Sequence, residues 1–565
     1  MKKVLLLAVA LLTTLNVLVA QQFKIEKSVG FDEPEYGWNK LLQLKNGNTI
    51  FFHSTRRDGI EVTVYNKLRK QIASKTLEST LWDVGKMKQS KIVGLHEING
   101  EPVIFIVQAS DREPTLYRMR INPNTGGKMN EAKVGNLPKI GAFAGYAMAF
   151  GNVDMPDIIV EKDPNSDCYA VIYFDGFAHE GTARIKVVHY DGMHKQLNTA
   201  QYTAPDGKYK YLRYIGCVVD GNKRVFMASY GYNGKANEDA QPSVIMSRVN
   251  VGESKFAHTM IKVSNDFNDT KSVMLYNRNT NKIQLMTVTY TKEKMPVWDN
   301  VRWPGADFGY YRKRELSCIA LLNYIDAESL NITGVKPLVG MKIDAYGKQN
   351  IEKEYEYDGV PLDMVLNKDN TTTVLMEDIT NTTTRSTYMN SGHTRTTHKT
   401  YLGPVGISEL SDDGTEVNGY AINKKQQADG TLPILYMSGR SKGVFSYPTS
   451  DQRSNNNEFL SYDYIYTDKG HYVIFNDLPK NSEKDEEDEK RKTVAYVSKT
   501  NTMCFKLNNP KIEKSFLFGQ PGEDKSTFCF IASSDFNKEL GTYATMIVER
   551  DGREKQAKIA WITFE

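Results

Sequence analysis

Cysteine is scarce in this 565-residue chain, which contains five: Cys168, Cys217, Cys318, Cys504 and Cys529. They are far apart and odd in number, which is not the pattern of a disulfide scaffold. Each lies in or beside an apolar, strand-like run, so we interpret them as buried thiols that pack as small hydrophobic groups. Cys504 and Cys529 are the pair to test for a disulfide, because a bond between them would join two neighbouring units.

An excess of charge of either sign is also absent, since 72 lysines and arginines face 68 acids, a formal net charge of +4. This balance gives no electrostatic footprint for nucleic acid. The sequence contains no G-x-S-x-G elbow, phosphate-binding glycine loop, H-E-x-x-H helix or Cys-x-x-Cys pair, and we expect no cofactor and no metal. Carboxylates are plentiful, however, and the two catalytic carboxylates of a glycosidase could come from strands far apart in the chain. Such a pair would form no recognisable sequence motif.

Long apolar runs are absent beyond the first 20 residues. Lys2 and Lys3 precede the apolar residues 4–12, and small and apolar residues end at Ala20. This order is typical of a secretory signal peptide over 1–20, which predicts export from a bacterium to the periplasm, the outer surface or the medium. No later stretch approaches the roughly 18 apolar residues that a transmembrane helix requires.

What the chain does contain is a repeated hairpin. Apolar residues 41–44 precede the turn at Asn46-Gly47, and Thr49-Ile50-Phe51-Phe52 follow it. Asparagine and glycine tolerate the positive φ angles of a tight turn, so this pattern predicts a β-hairpin. Similar hairpins are predicted around Asn99-Gly100, Asp220-Gly221 and Lys469-Gly470, with weaker copies at 279–281 and 369–370.

Each hairpin is followed by a second one, whose first strand ends on a β-branched or aromatic residue, usually before Asn or Asp. The seven cases are Tyr65-Asn66, Ile121-Asn122, Tyr190-Asp191, Val249-Asn250, Ile343-Asp344, Ile422-Asn423 and Val497-Ser498. Two hairpins make one four-stranded antiparallel sheet, whose strands we call a, b, c and d. Such a sheet has two faces to bury, and stacking the sheets around an axis covers them.

This arrangement resembles the β-propeller family over nearly the whole of residues 21–565, and it predicts an all-β, single β-propeller of about eight four-stranded blades. First hairpins begin near Leu41, Ile92, Asp157, Leu212, Ser272, Leu362, Leu460 and Thr527. The last unit lacks a d strand, and residues 23–27 have no hairpin partner, so we expect the N- and C-terminal strands to pair and close the ring. Seven blades, or two tandem β-sandwiches, are the alternatives.

Extra residues fall between strands b and c, on one face of the propeller, in insertions predicted at 230–242, 291–335, 380–415 and 477–492. Insertions confined to one face of a repeat protein are typical of a binding surface. The threonine-rich part of the third insertion, 380–399, predicts a protruding β-arm. Its histidines, His393 and His398, do not make a metal site, because no third ligand is evident.

The insertion at 291–335 interleaves aromatic and basic residues, which stack on sugars or peptides and grip carboxylates. The predicted binding residues are Trp298, Arg302, Trp303, Tyr310, Tyr311 and Arg312, together with Tyr230 and Tyr232 of the neighbouring unit. The alternative is that these rings pack the insertion onto its own blade.

The sequence therefore favours an exported, non-enzymatic binding or scaffold propeller that recognises a protein or polysaccharide at the cell envelope, and not nucleic acid. The alternative is a propeller-type polysaccharide hydrolase or lyase with carboxylates at the central channel. Carboxylates that converge in an open channel pocket would favour the enzyme.

Overall fold

The computed structural model describes residues 23–34, 36–141, 155–178, 184–233, 242–262, 270–290, 299–300, 308–388, 393–446, 456–482 and 491–564. The predicted signal peptide lies outside these ranges. Within them, no helix has the length and apolar character needed to cross a membrane.

The first half of the chain forms one terminal strand and four four-stranded sheets in chain order. The first strand is β1 (Phe23–Lys27). Blade one contains β2 (Trp38–Gln43), β3 (Thr49–Thr55), β4 (Gly59–Tyr65) and β5 (Gln71–Thr76). Blade two contains β6 (Ser90–Ile98), β7 (Glu101–Ser110), β8 (Glu113–Ile121) and β9 (Lys128–Asn136). Blade three contains β10 (Asp157–Lys162), β11 (Tyr169–Phe174), β12 (Ile185–Tyr190) and β13 (Gln196–Tyr202). Blade four contains β14 (Tyr211–Asp220), β15 (Arg224–Tyr232), β16 (Ser243–Asn250) and β17 (Ala257–Lys262).

The second half forms four more sheets, and those of blades six and eight carry extra strands. Blade five contains β18 (Lys271–Asn277), β19 (Lys282–Tyr290), β22 (Cys318–Asp326) and β23 (Ile332–Pro337), and its insertion forms β20 (Asp299–Asn300) and β21 (Phe308–Glu315). Blade six contains β24 (Val360–Leu366), β25 (Thr372–Tyr388), β26 (His393–Leu410) and β27 (Glu416–Ile422), followed by β28 (Gln426–Asp429) and β29 (Phe445–Ser446). Blade seven contains β30 (Asp463–Thr467), β31 (Gly470–Asp477), β32 (Asn501–Leu507) and β33 (Glu513–Phe516). Blade eight contains β34 (Lys525–Cys529), β35 (Asp535–Asn537), β36 (Thr542–Asp551) and β37 (Glu554–Phe564).

Helices are few among the described residues. The α-helices are α1 (Met341–Asn350) and α2 (Pro479–Ser482). Short 3-10 helices span Val84–Gln89, Pro205–Gly207, Asn456–Phe459, Val497–Lys499 and Ile531–Ser533.

The tight turns follow from local chemistry. Between β6 and β7, Asn99 and Gly100 both adopt positive φ angles, 53° and 76°, as a two-residue hairpin turn requires. The pairing of Ile98 with Glu101 leaves only these two residues in the turn. The predicted hairpin at this position is confirmed.

The chain is an eight-bladed β-propeller whose ring is closed by its two terminal strands. Strands β34 and β35 both pair with β36 and so share the position of strand a in blade eight. Strand β1 pairs antiparallel with β37, from Phe23 opposite Phe564 to Lys27 opposite Ala560, and supplies the d strand. Both predictions, the blade count and the closure, are confirmed. Buried apolar clusters lie between neighbouring blades, as between blades one and two, where Phe52 and Ile104 belong to one cluster. Each sheet therefore buries its faces against its neighbours.

The structure corrects the predicted positions of three c strands. Ile343 lies in helix α1, Ile422 ends the d strand β27, and Val497 lies in a 3-10 helix. A β-branched residue before Asn or Asp marks the end of any strand, so the pattern does not separate strand c from strand d. In α1, the buried residues Ile343, Tyr346 and Gly347 follow a helical spacing.

The observed strands also change the bounds of the predicted insertions. Strand β22, and most of β23, lie inside the predicted insertion 291–335, so the inserted segment ends before Cys318. The segment 380–415 consists largely of the continued strands β25 and β26. Residues 230–232 belong to β15, and the connection that begins after Asp477 continues to Thr500, before β32.

Candidate functional site

Residues 430–446, which we call the channel segment, leave blade six and cross the central channel of the propeller. The Leu435 amide donates to the Pro361 carbonyl of the innermost strand of blade six at 3.1 Å. On the far side, Phe445 and Ser446 pair with Ile92 and Lys91 of blade two. The Phe445 ring also stacks on Trp38 of blade one, with ring centroids 5.5 Å apart. The channel is therefore filled by the protein's own chain.

Two ion pairs fix the tip of this segment to the channel wall. The Arg440 guanidinium bonds to Asp463 of blade seven, and the Lys442 ammonium lies 2.8 Å from Glu161 of blade three. Burial is the largest single influence and acts to lower the pKa of Arg440, but Asp463 together with Tyr436, Tyr543 and Glu377 raises it overall. In the same way Glu161 raises the pKa of Lys442 against the effect of burial. Both cations therefore stay charged, and each one offsets the negative charge of its carboxylate partner.

Another wall carboxylate faces the same two cations. Burial raises the pKa of Asp363 to about 6, and the charges of Lys442 and Arg440 oppose that rise. The backbone amide of Met364 donates to its carboxylate at 2.8 Å. These three acids, Asp463, Glu161 and Asp363, are thus engaged by the channel segment or by the backbone.

A buried polar cluster holds the start of the channel segment. Lys424 and Glu377 form an ion pair of 2.5 Å, and neither side chain is accessible to solvent. The Tyr436 hydroxyl donates to Glu377 at 2.6 Å, and the Ser461 hydroxyl lies 3.1 Å from the same carboxylate. Because Ser461 precedes blade seven, this cluster ties the channel segment to both blades six and seven.

A cavity of about 430 Å³ remains at the channel mouth, between the channel segment and the innermost strands of blades four and five. Its lining residues are Arg213, Tyr214, Ile215, Thr270, Lys271, Ser272, Pro433, Ile434, Leu435, Tyr436 and Ser438. Within the described part of the chain, no carboxylate lines it. Burial raises the pKa of both Tyr214 and Tyr436 well above the ordinary value, so neither phenol is suited to act as a base near neutral pH.

The second notable feature is a sheet that extends from blade six, which we call the arm. It consists of β20, β21 and the outer parts of β25 and β26, in the order β20-β21-β25-β26. Strands β25 and β26 stay paired from Thr380 opposite Tyr401 to Tyr388 opposite His393. The predicted β-arm is therefore present. Strand β21, from the insertion of blade five, pairs with β25 of blade six, from Phe308 opposite Thr387 to Glu315 opposite Thr380. The described strands of this insertion therefore join the sheet of the neighbouring blade.

The arm is basic, and the outer end of β26 is exposed. Residues 299–300, 308–315 and 380–401 contain six lysines and arginines and two acids, Asp299 and Glu315, a net charge of +4. In β26 the four consecutive residues 393–396 are exposed. Because neighbouring residues of a strand point to opposite faces, both faces of the arm meet solvent here.

The base of the arm also holds the channel segment. The Gly430 amide donates to the His398 carbonyl at 2.9 Å, and the Leu432 amide donates to the Thr400 hydroxyl at 3.1 Å. The Asn381 side-chain amide donates to the Leu432 carbonyl at 3.2 Å. The arm and the channel segment are therefore one connected unit on the b–c face.

The predicted binding residues are placed as follows. Tyr310, Tyr311 and Arg312 lie in β21, opposite Arg385, Thr384 and Thr383. Trp298, Arg302 and Trp303 lie outside the described residues. Tyr230 is buried between blades four and five, and Tyr232 is half-buried and stacks on Tyr211 with ring centroids 5.2 Å apart. Tyr230 is thus an interior packing residue and not an exposed contact.

The sequence interpretation missed the channel segment. Its one visible signal was length, because about forty residues separate Ile422 from the next blade at Asp463, whereas connections between elements are usually short.

No protein-family model matches the chain, and no curated protein matches it in sequence. Among solved structures, the Dos1 propeller is 8% identical with a TM-score of 0.40, and the match covers 95% of each chain. The WD40 domain of SCAP from fission yeast is 9% identical with a TM-score of 0.29, covering 96% of this chain and 98% of that one. The polysaccharide lyase Uly1 is 9% identical with a TM-score of 0.34, covering 84% and 90%. At these values the likeness carries no functional argument.

Proposed function

We propose that this protein is an exported, non-enzymatic binding or scaffold propeller that recognises a protein or glycan partner through the arm and the adjoining b–c face. The observation that carries the proposal is the arm itself. Strands β25 and β26 stay paired far beyond the blade, and residues 393–396 at the outer end of β26 are exposed on both faces. Export is supported by the charged, apolar and small residues of the predicted signal peptide, 1–20.

The filled channel favours binding over the alternative, a polysaccharide hydrolase or lyase. A carboxylate mechanism needs two carboxyl groups beside an open pocket. Here Glu161 and Asp463 are occupied by Lys442 and Arg440, and the described lining of the remaining cavity is basic.

The test is an arm truncation that preserves the base. Thr383 and His398 lie directly opposite each other, so residues 384–397 can be replaced by Asn-Gly, a two-residue hairpin turn. Asn381 and Thr400, which hold the channel segment, are retained. The expected result is loss of partner capture from native envelope extracts, with an unchanged thermal unfolding midpoint.

A matched control carries Lys67→Glu and Lys70→Glu, in the exposed c–d turn of blade one, on the opposite face. It should capture the partner as the parent does. Equal capture by the parent and the arm truncation would refute the proposal. A truncation that lowers the unfolding midpoint by many degrees would show that the arm is a packing element, and would also refute it.

A further inference from the structure

The cavity at the channel mouth has two cations in its lining. Arg213 lies near the start of β14 in blade four, and Lys271 begins β18 in blade five. The Arg213 guanidinium lies over the Tyr232 ring, with Cζ 5.8 Å from the ring centroid, so this charge is held in place. Two neighbouring blades therefore each supply a positive charge to one volume of about 430 Å³.

Two serine hydroxyl groups of the lining are arranged to accept hydrogen bonds. The Ser272 hydroxyl donates its proton to the Ile215 carbonyl at 2.7 Å, and the Ser438 hydroxyl donates to the Leu435 carbonyl at 2.8 Å. A hydroxyl group has one proton to donate and two lone pairs with which to accept, so both oxygens keep the capacity to accept. A molecule in the cavity can therefore offer hydrogen-bond donors, such as its own hydroxyl groups, to both serines.

The channel segment gives the cavity an apolar wall, to which Pro433, Ile434 and Leu435 contribute. Ile434 and Leu435 are buried, whereas Pro433 is exposed, so the cavity borders the surface of the protein. Small-molecule sites are typically clefts of roughly 300–1,000 Å³ with apolar walls and a few polar groups that fix the orientation of the ligand. The size and the mixed lining of this cavity agree with such a site.

Charge, hydroxyl groups and the apolar wall together select the ligand. Cations that share a small cavity repel each other, and a bound anion offsets that repulsion. Glu377, the acid that accepts from the lining residue Tyr436, is already paired with Lys424. An inorganic anion meets the cations but has no body to place on Ile434 and Leu435. A carboxylate attached to a hydroxylated ring has a group for each part of the lining.

We propose that this cavity binds a hydroxylated carboxylate the size of one sugar ring, such as a uronate. The carboxylate lies beside Lys271 and Arg213 in charge-assisted contact. The hydroxyl groups of the ring donate to Ser272 and Ser438, and its C–H face packs on the channel segment. The site uses no residue of the arm, so the inference goes beyond the proposed function and does not depend on it.

The first test compares three ligands on the purified full-length chain by isothermal titration calorimetry. Glucuronate is the reference, glucuronamide replaces its carboxylate by a neutral amide, and cyclohexanecarboxylate keeps a charge and a ring without hydroxyl groups. Glucuronamide should bind about tenfold more weakly than glucuronate, because it loses the charge-assisted contacts. Cyclohexanecarboxylate should bind about fivefold more weakly, because it offers no donor to the two serines. Inorganic phosphate should not displace glucuronate.

An oligosaccharide that ends in glucuronate identifies the source of the ligand. Tighter binding than that of the free sugar assigns the cavity to the end of a glycan chain, and weaker binding assigns it to a free sugar acid. Both results require that the carboxylate binds, so both support the proposal.

Two substitutions at one position separate the charge from the packing of the side chain. Lys271→Met keeps an unbranched side chain and removes the charge, so it should weaken glucuronate binding about tenfold. Lys271→Arg keeps the charge and should bind glucuronate more tightly than Lys271→Met does. Lys75→Met, at an exposed position of the outer strand β5, is the matched control and should bind as the parent does. Equal thermal unfolding midpoints show that the variants fold.

Equal affinity of the parent chain for glucuronate and glucuronamide would overturn the proposal, as would the absence of measurable glucuronate binding. Full competition by phosphate, or parental affinity in Lys271→Met, would overturn it as well. The arm truncation should bind glucuronate as the parent does. A failure of this inference therefore leaves the arm proposal intact, and unchanged partner capture by the arm truncation leaves this inference intact.

Discussion

The ammonium group of Lys442 lies 2.8 Å from the Glu161 carboxylate, although 281 positions separate the two residues in the chain. Lys442 is at the tip of the channel segment, and Glu161 is in the innermost strand of blade three. The pair therefore fastens a segment that leaves blade six to the opposite wall of the channel. It also leaves the Glu161 carboxylate paired with a cation from the protein's own chain.

Removing one partner of this pair should destabilise the fold. Lys442→Met leaves Glu161 without its cation, and we expect the free energy of unfolding to fall by about 1–2 kcal/mol. The loss stays below that of a fully buried pair because the Lys442 side chain is 39% exposed. Urea unfolding measures it. The double variant with Glu161→Gln should recover part of the loss, and purely additive effects would contradict the coupling.

The Glu377–Lys424 pair should matter more, because neither side chain is accessible to solvent. Glu377→Gln leaves a buried, unpaired ammonium group and should cost about 3–5 kcal/mol in urea unfolding. Asp468→Asn, which removes the partner of Lys368 in an exposed pair, is the control and should cost less than about 1 kcal/mol. Equal losses in the two variants would show that burial does not set the strength of the Glu377 pair.

Ring closure should depend on Phe23. Its buried ring lies 5.6 Å from that of Phe564 and 6.3 Å from that of Tyr472, so it joins blades seven and eight. Phe23→Ala should lower the free energy of unfolding by about 3–5 kcal/mol. Lys24→Ala changes the next, exposed residue of the same strand and should have an effect within about 0.5 kcal/mol. Light scattering should also show more aggregation for Phe23→Ala, because a loosened β1 uncovers the edge of β37. A Phe23→Ala protein as stable as the parent would contradict closure by this strand.

Stability should fall as the pH rises through the range in which Glu458 ionises. Burial raises the pKa of this residue to about 8, while the Asn39 amide, 3.1 Å away, favours the carboxylate. The folded state therefore holds a proton that the unfolded state releases at lower pH, so the stabilisation is full below the unfolded pKa and is lost as the pH rises through about 8. Asp363, with a pKa of about 6, acts in the same direction over a lower range.

Glu458→Gln removes this contribution. Its thermal midpoint should drop less than that of the parent between about pH 5 and about pH 8.5. Glu554→Gln, at an exposed position of β37, should follow the parent. A Glu458→Gln variant with the parent's full pH dependence would assign the effect to another group.

Much of the fold was predictable because its signals are local. The Asn99-Gly100 turn requires positive φ at two residues, and the sequence supplies two residues that tolerate it. The unpaired strand at Phe23 and the missing d strand of the last unit predicted ring closure. A local signal does not identify a structure when several kinds of element produce the same signal. Ile343 before Asp344 resembles the end of a strand, but in the structure both residues belong to a helix that buries Ile343 and Tyr346.

By itself, then, the sequence determined the repeated sheet, the blade count and the closure, since alternation and turn chemistry act between residues close in the chain. The tertiary structure alone decided that residues 430–446 fill the channel and that β21 joins the arm of the next blade. Those outcomes depend on ion pairs such as Lys442 with Glu161, and on strand pairings across blades. Their partners meet only once the ring has formed, and no periodicity in the chain records them.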